Sequence, residues 1–216
     1  MLVILDWDGT VCDSEARIVA CMQRASDRAG LPVLEPSAIG NIIGLGLGLP
    51  EAIATLFPEA HSEQRGDLRE YYAEEWLAAR GEPLPLFDGV LETLDQLLGS
   101  GHQLAVATGK SRRGLNREFA EHGIGHLFAT SRCADETASK PNPTMLREIL
   151  SETDLPVSEA VMVGDTEFDL KMAAAIDMPA IGVSYGVHSR ERLHDCSPLK
   201  VIDHFTELLA WPPLVP

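Results

Sequence analysis

The chain has few basic residues, and this shortage excludes whole classes of binding partner. Its 216 residues include 17 Lys and Arg against 33 Asp and Glu, which gives a formal net charge of −16 at pH 7. Nucleic acids and anionic membrane surfaces select for clustered basic residues, so neither is expected as a partner. An anionic substrate would need local positive charge, or a bound cation, to overcome the field of the whole chain.

Cysteines and long apolar stretches are also scarce. The four cysteines form no CxxC pair and no spacing typical of metal ligands, which favours reduced thiols. The first ten residues, MLVILDWDGT, lack the basic segment of a signal peptide, and no apolar run approaches the roughly 18 residues of a membrane span. We therefore expect a cytoplasmic protein with no membrane partner.

Short apolar runs alternate with amphipathic segments over most of the sequence. Continuous runs, the pattern of strands covered on both faces, occur at 2–5, 103–108, 160–165 and 179–184, with a weaker one at 127–130. Helical spacing occurs between them at 89–101, 112–123, 142–153 and 166–178. This alternation predicts an α/β fold with a doubly wound, mostly parallel sheet.

The stretch 14–85 interrupts the alternation, because it lacks strand-like runs. Its patterns predict helices at 14–30, 49–60 and 62–81. Ser14 is a candidate N-cap for the first of them. We expect an α-helical cap domain at 14–85, inserted into an α/β catalytic core made of 1–13 and 86–216.

Polar side chains follow the predicted strands at their carboxyl ends, which meet along one edge of a parallel sheet. Asp6 and Asp8 follow the first strand, Thr108 ends the second, and Asp165 ends a third. Lys140 lies in a polar loop between the last two. Crowded carboxylates favour a cation, and ligands that are all oxygen suit a hard ion such as Mg²⁺. The sequence therefore predicts a Mg²⁺ site that also offsets the field opposing an anionic substrate.

Four short motifs carry a resemblance to a known family. They are DWDGT at 6–10, ATG at 107–109, KPNP at 140–143 and GDTEFD at 164–169. In this order they resemble the four motifs of the haloacid dehalogenase (HAD) superfamily of phosphohydrolases. The helical insertion after the first motif resembles the C1-type cap of the phosphoglycolate phosphatase-like branch. The resemblance covers nearly the whole chain and implies a HAD-like, Rossmann-type core.

The resemblance implies roles for the first motif. Asp6 would be the nucleophile that attacks phosphorus and forms an aspartyl-phosphate, so that one difficult displacement is split into two. Asp8 would be the general acid that protonates the leaving alcohol, and then the base that activates water. Its backbone carbonyl would also ligate Mg²⁺, and Gly9 would belong to the phosphate-binding set.

The remaining motifs complete the implied site. Thr108 and the amide of Gly109 would bind the oxygens of the transferring phosphoryl group, and Lys140 would stabilise both the nucleophile and that group. Asp165 would complete the metal site with Asp6. Asp169 would orient Lys140 or a metal-bound water rather than ligate the metal directly.

The implied activity is a Mg²⁺-dependent phosphatase that acts on a small phosphorylated metabolite, such as 2-phosphoglycolate or a sugar phosphate. A β-phosphoglucomutase-like mutase keeps Asp8 and stays open as an alternative, although it needs a second phosphate site in the cap. A 2-haloacid dehalogenase does not need the second acidic residue, so Asp8 argues against it. A receiver domain, which is a non-catalytic phosphoaspartate switch, is disfavoured because it has no helical insertion after its first strand.

Two features of the cap are candidates for substrate selection. The segment NIIGLGLGLP at 41–50 contains a GxGxG run that follows no apolar strand, so it is not a dinucleotide-binding fingerprint. Glycines there would let the backbone approach a substrate closely. Arg17, one turn after Ser14, is the basic cap residue that we select as a candidate substrate contact.

Overall fold

The computed structural model describes residues 1–43, 47–79 and 83–214 of the chain. The strands in this part are β1 (Leu2–Leu5), β2 (Gln103–Thr108), β3 (Thr130–Cys133), β4 (Ala160–Gly164), β5 (Ala180–Val183) and β6 (Lys200–Ile202). The α-helices in this part are α1 (Glu15–Arg28), α2 (Pro36–Ile43), α3 (Leu49–Leu56), α4 (Ser62–Ala78), α5 (Val90–Gly99), α6 (Arg112–His122), α7 (Thr144–Thr153), α8 (Glu167–Ala174) and α9 (Arg190–His194). Short 3₁₀ helices lie at Gly125–Leu127, Val157–Glu159, Phe205–Ala210 and Pro212–Leu214.

The strands form one parallel sheet in the order β3-β2-β1-β4-β5-β6. β1 is central, and its Leu5 is in register with Val106 of β2 and Val163 of β4. The strand order reverses between β1 and β4. In open α/β sheets, the crevice at the carboxyl ends of the strands on either side of such a reversal is where ligands bind.

Both faces of the sheet are covered, because successive side chains of a strand point to opposite faces. Val3 and Leu5 of β1 face the layer that contains α5 and α6, whereas Leu2 and Ile4 face the layer of α7, α8 and α9. All four side chains are fully buried. The continuous apolar run at the start of the chain is therefore a central strand of a doubly wound α/β fold, as predicted.

The helices α1 to α4, which we call the cap helices, have an apolar cluster of their own. One buried residue from each helix illustrates it: Met22, Ile39, Ile53 and Leu68. The chain enters and leaves this region through adjacent segments, and the amide of Asp13 donates a hydrogen bond to the carbonyl of Pro85 at 2.9 Å. The predicted helical insertion after the first strand is thus present in the element order.

The weak strand expected at 127–130 was misplaced. Gly125–Leu127 is a 3₁₀ helix, and the strand β3 begins only at Thr130. β3 is an edge strand whose central residues, Ser131 and Arg132, are only half-buried, so it carries no continuous apolar run. For the same reason the sequence did not predict β6, a three-residue strand at the opposite edge of the sheet.

Several helix boundaries also differ from expectation. α2 and α9 were not predicted, because both are short and α2 contains Gly40. The helix expected at 62–81 ends at Ala78, and residues 80–82 lie outside the described part of the chain. Among the described residues, the structure contains no helix with the length and apolarity that a membrane span requires.

The central strand generates a stability prediction. Ile4→Ala should lower the free energy of unfolding by about 2–5 kcal/mol, because it removes a fully buried side chain and leaves a cavity. Leu91→Ala is the control, since Leu91 of α5 is 49% exposed and its loss should change stability by roughly 0.5 kcal/mol or less. Urea denaturation measures both. Equal effects at the two positions would contradict this description of the core.

Candidate active site

β1 and β4 end side by side, and a carboxylate follows each of them. Asp6 comes directly after β1 and Asp165 directly after β4, and both are buried. The amide of Asp6 donates to the carbonyl of Val163 at 2.9 Å, which continues the strand pairing up to the residue that bears the carboxylate. The sheet itself therefore brings the two acidic side chains together at the reversal of strand order.

Lys140 is buried between two carboxylates. Its Nζ lies 2.8 Å from Oδ1 of Asp6 and 2.6 Å from Oδ1 of Asp169. The other oxygen of Asp169 accepts a hydrogen bond from the hydroxyl of Thr166 at 2.6 Å, at the start of α8. Burial lowers the pKa of Lys140, but the attraction of Asp169 and Asp6 outweighs it and raises that pKa above its ordinary value. The side chain is therefore an ammonium ion at neutral pH.

The three buried carboxylates lie close together and repel one another. Burial raises the pKa of Asp6 well above its usual range, and Lys140 opposes this shift while Asp169 and Asp165 reinforce it. Burial, together with Asp169, raises the pKa of Asp165 to about 7. Ligand oxygens of Asp6, Asp165 and Asp169 lie within 4.8 Å of one another. Three carboxylates thus face one ammonium group, and the excess negative charge favours a bound cation.

The donor set and its surroundings fit a hard divalent cation. All donors are oxygens, as Mg²⁺ prefers. The hydroxyl of Thr10 donates to Oδ1 of Asp165 at 3.2 Å, and the amide of Val187 donates to Oδ2 at 2.9 Å, so this carboxylate is held in place. A Cβ added at Gly9, where φ is +80°, or at Gly186 would come closer than 3.0 Å to Asp165. Both glycines therefore keep backbone packed around the candidate ligand.

Asp8 lies beside this carboxylate cluster and has different partners. Its Oδ1 accepts a hydrogen bond from the hydroxyl of Ser14 at 2.6 Å and lies 3.0 Å from Nζ of Lys110. Ser14 is the N-cap residue of α1, as expected, but its hydroxyl is used by Asp8 and makes no capping bond. The metal contact predicted for Asp8 uses its backbone carbonyl and stays a prediction.

Residues from three of the four motifs line one cavity of about 610 Å³, and Lys140 of the KPNP motif lies next to it, in contact with Asp6. Asp6, Asp8, Thr108 and Gly109 line it, as does Asp165. Thr108 is buried at the end of β2, and its hydroxyl accepts a hydrogen bond from the amide of the second residue after it at 3.1 Å. The juxtaposition that the motif order predicted is therefore present, whereas the roles of these side chains remain predictions.

Three of the cap helices, α1, α3 and α4, also line the cavity, mostly with apolar side chains. Its apolar lining residues include Ile18, Met22, Leu49, Leu56, Tyr72 and Trp76. Three arginines also line the cavity, Arg69 from α4 and Arg113 and Arg117 from α6. These arginines bring positive charge to the cavity of an otherwise acidic chain.

The two cap features singled out in the sequence have different placements. Residues 44–46 of the segment 41–50 lie outside the described residues, and the following residues 47–50 line the cavity. Arg17 is not among the residues that line it. Its guanidinium lies 5.9 Å from the ring centroid of Trp76, which does line it, so Arg17 is one side chain removed from the site.

Sequence reasoning missed two residues close to Asp8, Lys110 and Glu118. Lys110 follows the ATG motif directly and forms ion pairs with Asp8 and Glu118, each at 3.0 Å. Glu118 in turn accepts a hydrogen bond from the indole N–H of Trp7. A signal was available for Lys110, which is one of only four lysines and adjoins a motif. No comparable signal marks Glu118, because its partner is distant in sequence.

Comparisons with known proteins agree with the fold and the motifs. A family model described as haloacid dehalogenase-like hydrolase matches residues 3–183. The chain is 33% identical over 215 residues to the probable phosphatase IndB of Dickeya dadantii (strain 3937), covering 97% of this chain and 92% of that protein. It is 27% identical over 216 residues to the phosphoglycolate phosphatase of Vibrio parahaemolyticus, covering 96% and 94% of the two chains.

A solved structure extends the likeness to the whole fold. The crystal structure of CbbY from Rhodobacter sphaeroides in complex with xylulose-(1,5)bisphosphate superposes with a TM-score of 0.83 at 21% identity, covering 96% of this chain and 95% of that one. At this identity the likeness concerns the fold alone. Together with the family match and the curated relatives, it leads to one conclusion: the chain is an enzyme that belongs to the haloacid dehalogenase-like hydrolases, in the phosphatase branch that includes the phosphoglycolate phosphatases.

Proposed function

We propose that the enzyme is a Mg²⁺-dependent phosphomonoesterase that works through an aspartyl-phosphate on Asp6. The observation that carries this proposal is the placement of Asp6, buried at the reversal of strand order between the ammonium of Lys140 and the carboxylate of Asp165. A carboxylate in this position can act as a nucleophile only while it is ionised. The contact with Lys140 favours the ionised form against the effect of burial.

The two aspartates of the first motif have different roles in two successive steps. In the first step an oxygen of Asp6 bonds to phosphorus while the bond to the leaving alcohol breaks, and Asp8 gives that alcohol its proton. In the second step Asp8 takes a proton from water, whose oxygen bonds to phosphorus as the bond to Asp6 breaks. Thr108, Gly109 and Lys140 hold the phosphoryl oxygens in both steps.

The candidate metal ligands are Asp6, Asp165 and the backbone carbonyl of Asp8. When bound there, Mg²⁺ would neutralise part of the negative charge that a phosphoryl group brings into an acidic site. Asp169 is engaged by Lys140 and Thr166, which supports its proposed role in orienting Lys140 rather than binding the metal.

We propose that residues 14–85 form a cap domain that closes over the core of 1–13 and 86–216 and limits the access of water during attack. Two observations support this. The cap helices α1, α3 and α4 line the same cavity as Asp6. Glu51, in the first turn of α3, accepts a hydrogen bond from the hydroxyl of Ser139, the residue before Lys140. The cap therefore contacts the loop that carries the catalytic ammonium group.

The proposed substrate is a small phosphorylated metabolite, such as 2-phosphoglycolate or a sugar phosphate. The phosphoglycolate phosphatases among the curated relatives support this class. The arginines Arg69, Arg113 and Arg117 line the cavity and can meet a second anionic group on the substrate.

The nucleophile is tested by Asp6→Asn, which keeps the shape of the side chain but removes its charge. Hydrolysis of p-nitrophenyl phosphate should fall by about 10⁴-fold or more, because an amide oxygen cannot form the intermediate. Asp177→Asn, the same change at an exposed residue after α8, should hydrolyse it at the wild-type rate. Equal turnover by the Asp6 variant and the wild-type enzyme would exclude the mechanism.

The metal is tested by chelation and by thermal unfolding. EDTA should abolish turnover, and Mg²⁺ should restore it. In the absence of substrate, Mg²⁺ should also raise the Tm of the chelated enzyme, because a cation that binds only the folded carboxylate cluster stabilises the folded state. Asp165→Asn should lose this increase, and Asp177→Asn should keep it. Full activity in EDTA, or an equal increase in Tm for both variants, would argue against the site.

The phosphatase and mutase activities are separated by a substrate panel. We expect release of inorganic phosphate from 2-phosphoglycolate or from sugar phosphates, measured as free phosphate. With β-glucose 1-phosphate and its bisphosphate we expect no glucose 6-phosphate, because water rather than a second sugar accepts the phosphoryl group. Glucose 6-phosphate formed without net phosphate release would instead identify a mutase.

A further inference from the structure

Lys110 has an unusual set of neighbours for a residue that the four motifs leave unassigned. Its side chain is only 10% exposed, and its Nζ lies 3.0 Å from both Oδ1 of Asp8 and Oε1 of Glu118. The ring of Trp76, from the cap helix α4, covers the same ammonium group at 4.9 Å from the ring centroid. Lys110 therefore joins the proposed general acid to a buried carboxylate of α6 and to the cap.

Glu118, like Lys110, has little exposed side-chain surface and more than one partner. It is buried in the sheet-facing side of α6, and its Oε2 accepts the indole N–H of Trp7. Trp7 is fully buried and packs edge-on against Phe119, with ring centroids 5.1 Å apart. Trp7 lies between Asp6 and Asp8 in the sequence. The contacts therefore begin and end in the first motif: Trp7 contacts Glu118, Glu118 contacts Lys110, and Lys110 contacts Asp8.

Stability alone does not account for this arrangement. Removing two charges from water costs about as much as their attraction returns, so a buried Lys–Glu pair is often no more stabilising than apolar residues of similar size. Glu118 is buried on α6 beside Trp7, which belongs to the apolar layer between α6 and the sheet. Lys110 of this pair also contacts the carboxylate of Asp8, which indicates that the pair has a role in the active site.

We propose that Lys110, clamped by Glu118, is a positioning residue for Asp8. This inference rests on the proposed function, because it concerns the residue assigned as general acid and base. Lys110 and the hydroxyl of Ser14 both contact Oδ1 of Asp8, so they fix that oxygen and the plane of the carboxylate. Oδ2 is then the oxygen that exchanges protons: its O–H bond breaks as the leaving alcohol gains a proton, and it forms again with a proton from water.

Lys110→Met tests the proposal, since it removes the charge and keeps most of the side-chain length. For alkyl phosphates, whose leaving groups need a proton, kcat should fall by about 10–100-fold with little change in KM. With p-nitrophenyl phosphate, whose leaving group needs none, the first release of nitrophenol should keep its wild-type rate constant and only later turnovers should slow. Rapid-mixing absorbance measurements resolve the two phases.

Companion variants separate positioning from a loss of folding. Lys110→Arg keeps the charge and should recover part of the loss, and Glu118→Gln should show a smaller effect with the same dependence on leaving group. The double variant K110M/E118Q does not leave Glu118 as an unpaired buried carboxylate, and it covers the case in which Lys110→Met fails to fold. Lys200→Met is the matched control, because Lys200 lies exposed at the start of β6 and its ammonium group pairs with Glu207 of the 3₁₀ helix at Phe205–Ala210.

Three results would overturn the proposal. A higher KM with unchanged kcat would make Lys110 a substrate-binding residue. Equal losses in the first step for alkyl and nitrophenyl substrates would indicate a general structural effect. A wild-type kcat for alkyl phosphates would show that Asp8 does not need Lys110. The Asp6→Asn variant keeps the two proposals apart, because its activity would defeat the aspartyl-phosphate mechanism whatever the Lys110 variants do.

Discussion

The crowding of buried negative charge at the reversal of strand order is the constraint on which the site depends. Asp6, Asp165 and Asp169 are brought within 4.8 Å of one another by the ends of two adjacent strands and the start of α8. One buried ammonium, that of Lys140, lies among them. Burial and mutual repulsion raise the pKa of Asp6 and Asp165, and the excess negative charge favours a bound cation.

The same constraint explains why the site contains two lysines with separate partners. Lys140 serves the cluster that includes Asp6, whereas Lys110 serves Asp8. The two aspartates of the first motif are only two residues apart, yet each has its own ammonium group and its own set of hydrogen bonds. This separation gives two similar carboxylates different environments, which is what the proposed mechanism requires if one is to attack phosphorus and the other to move protons.

Most of the fold and the central site could be predicted from the sequence, because both depend on patterns that are local in the chain. β1 is central and covered on both faces, so its sequence is a continuous apolar run. The DWDGT motif directly follows it. β3 was misplaced and β6 was not predicted, because edge strands need fewer apolar residues. The contacts of Ser14, Thr10 and Glu118 could not be predicted, since each depends on a side-chain direction or on a partner fixed only by tertiary packing.

The covalent intermediate on Asp6 is the central claim, and trapping it is the most direct measurement. Asp8→Asn should react once with p-nitrophenyl phosphate, whose leaving group needs no proton, and then stall because no base activates water. Mass spectrometry of the acid-quenched, digested enzyme should locate one phosphoryl group on the peptide that contains Asp6. Phosphate release without any phosphorylated peptide, or a phosphoryl group on a different residue, would contradict the account.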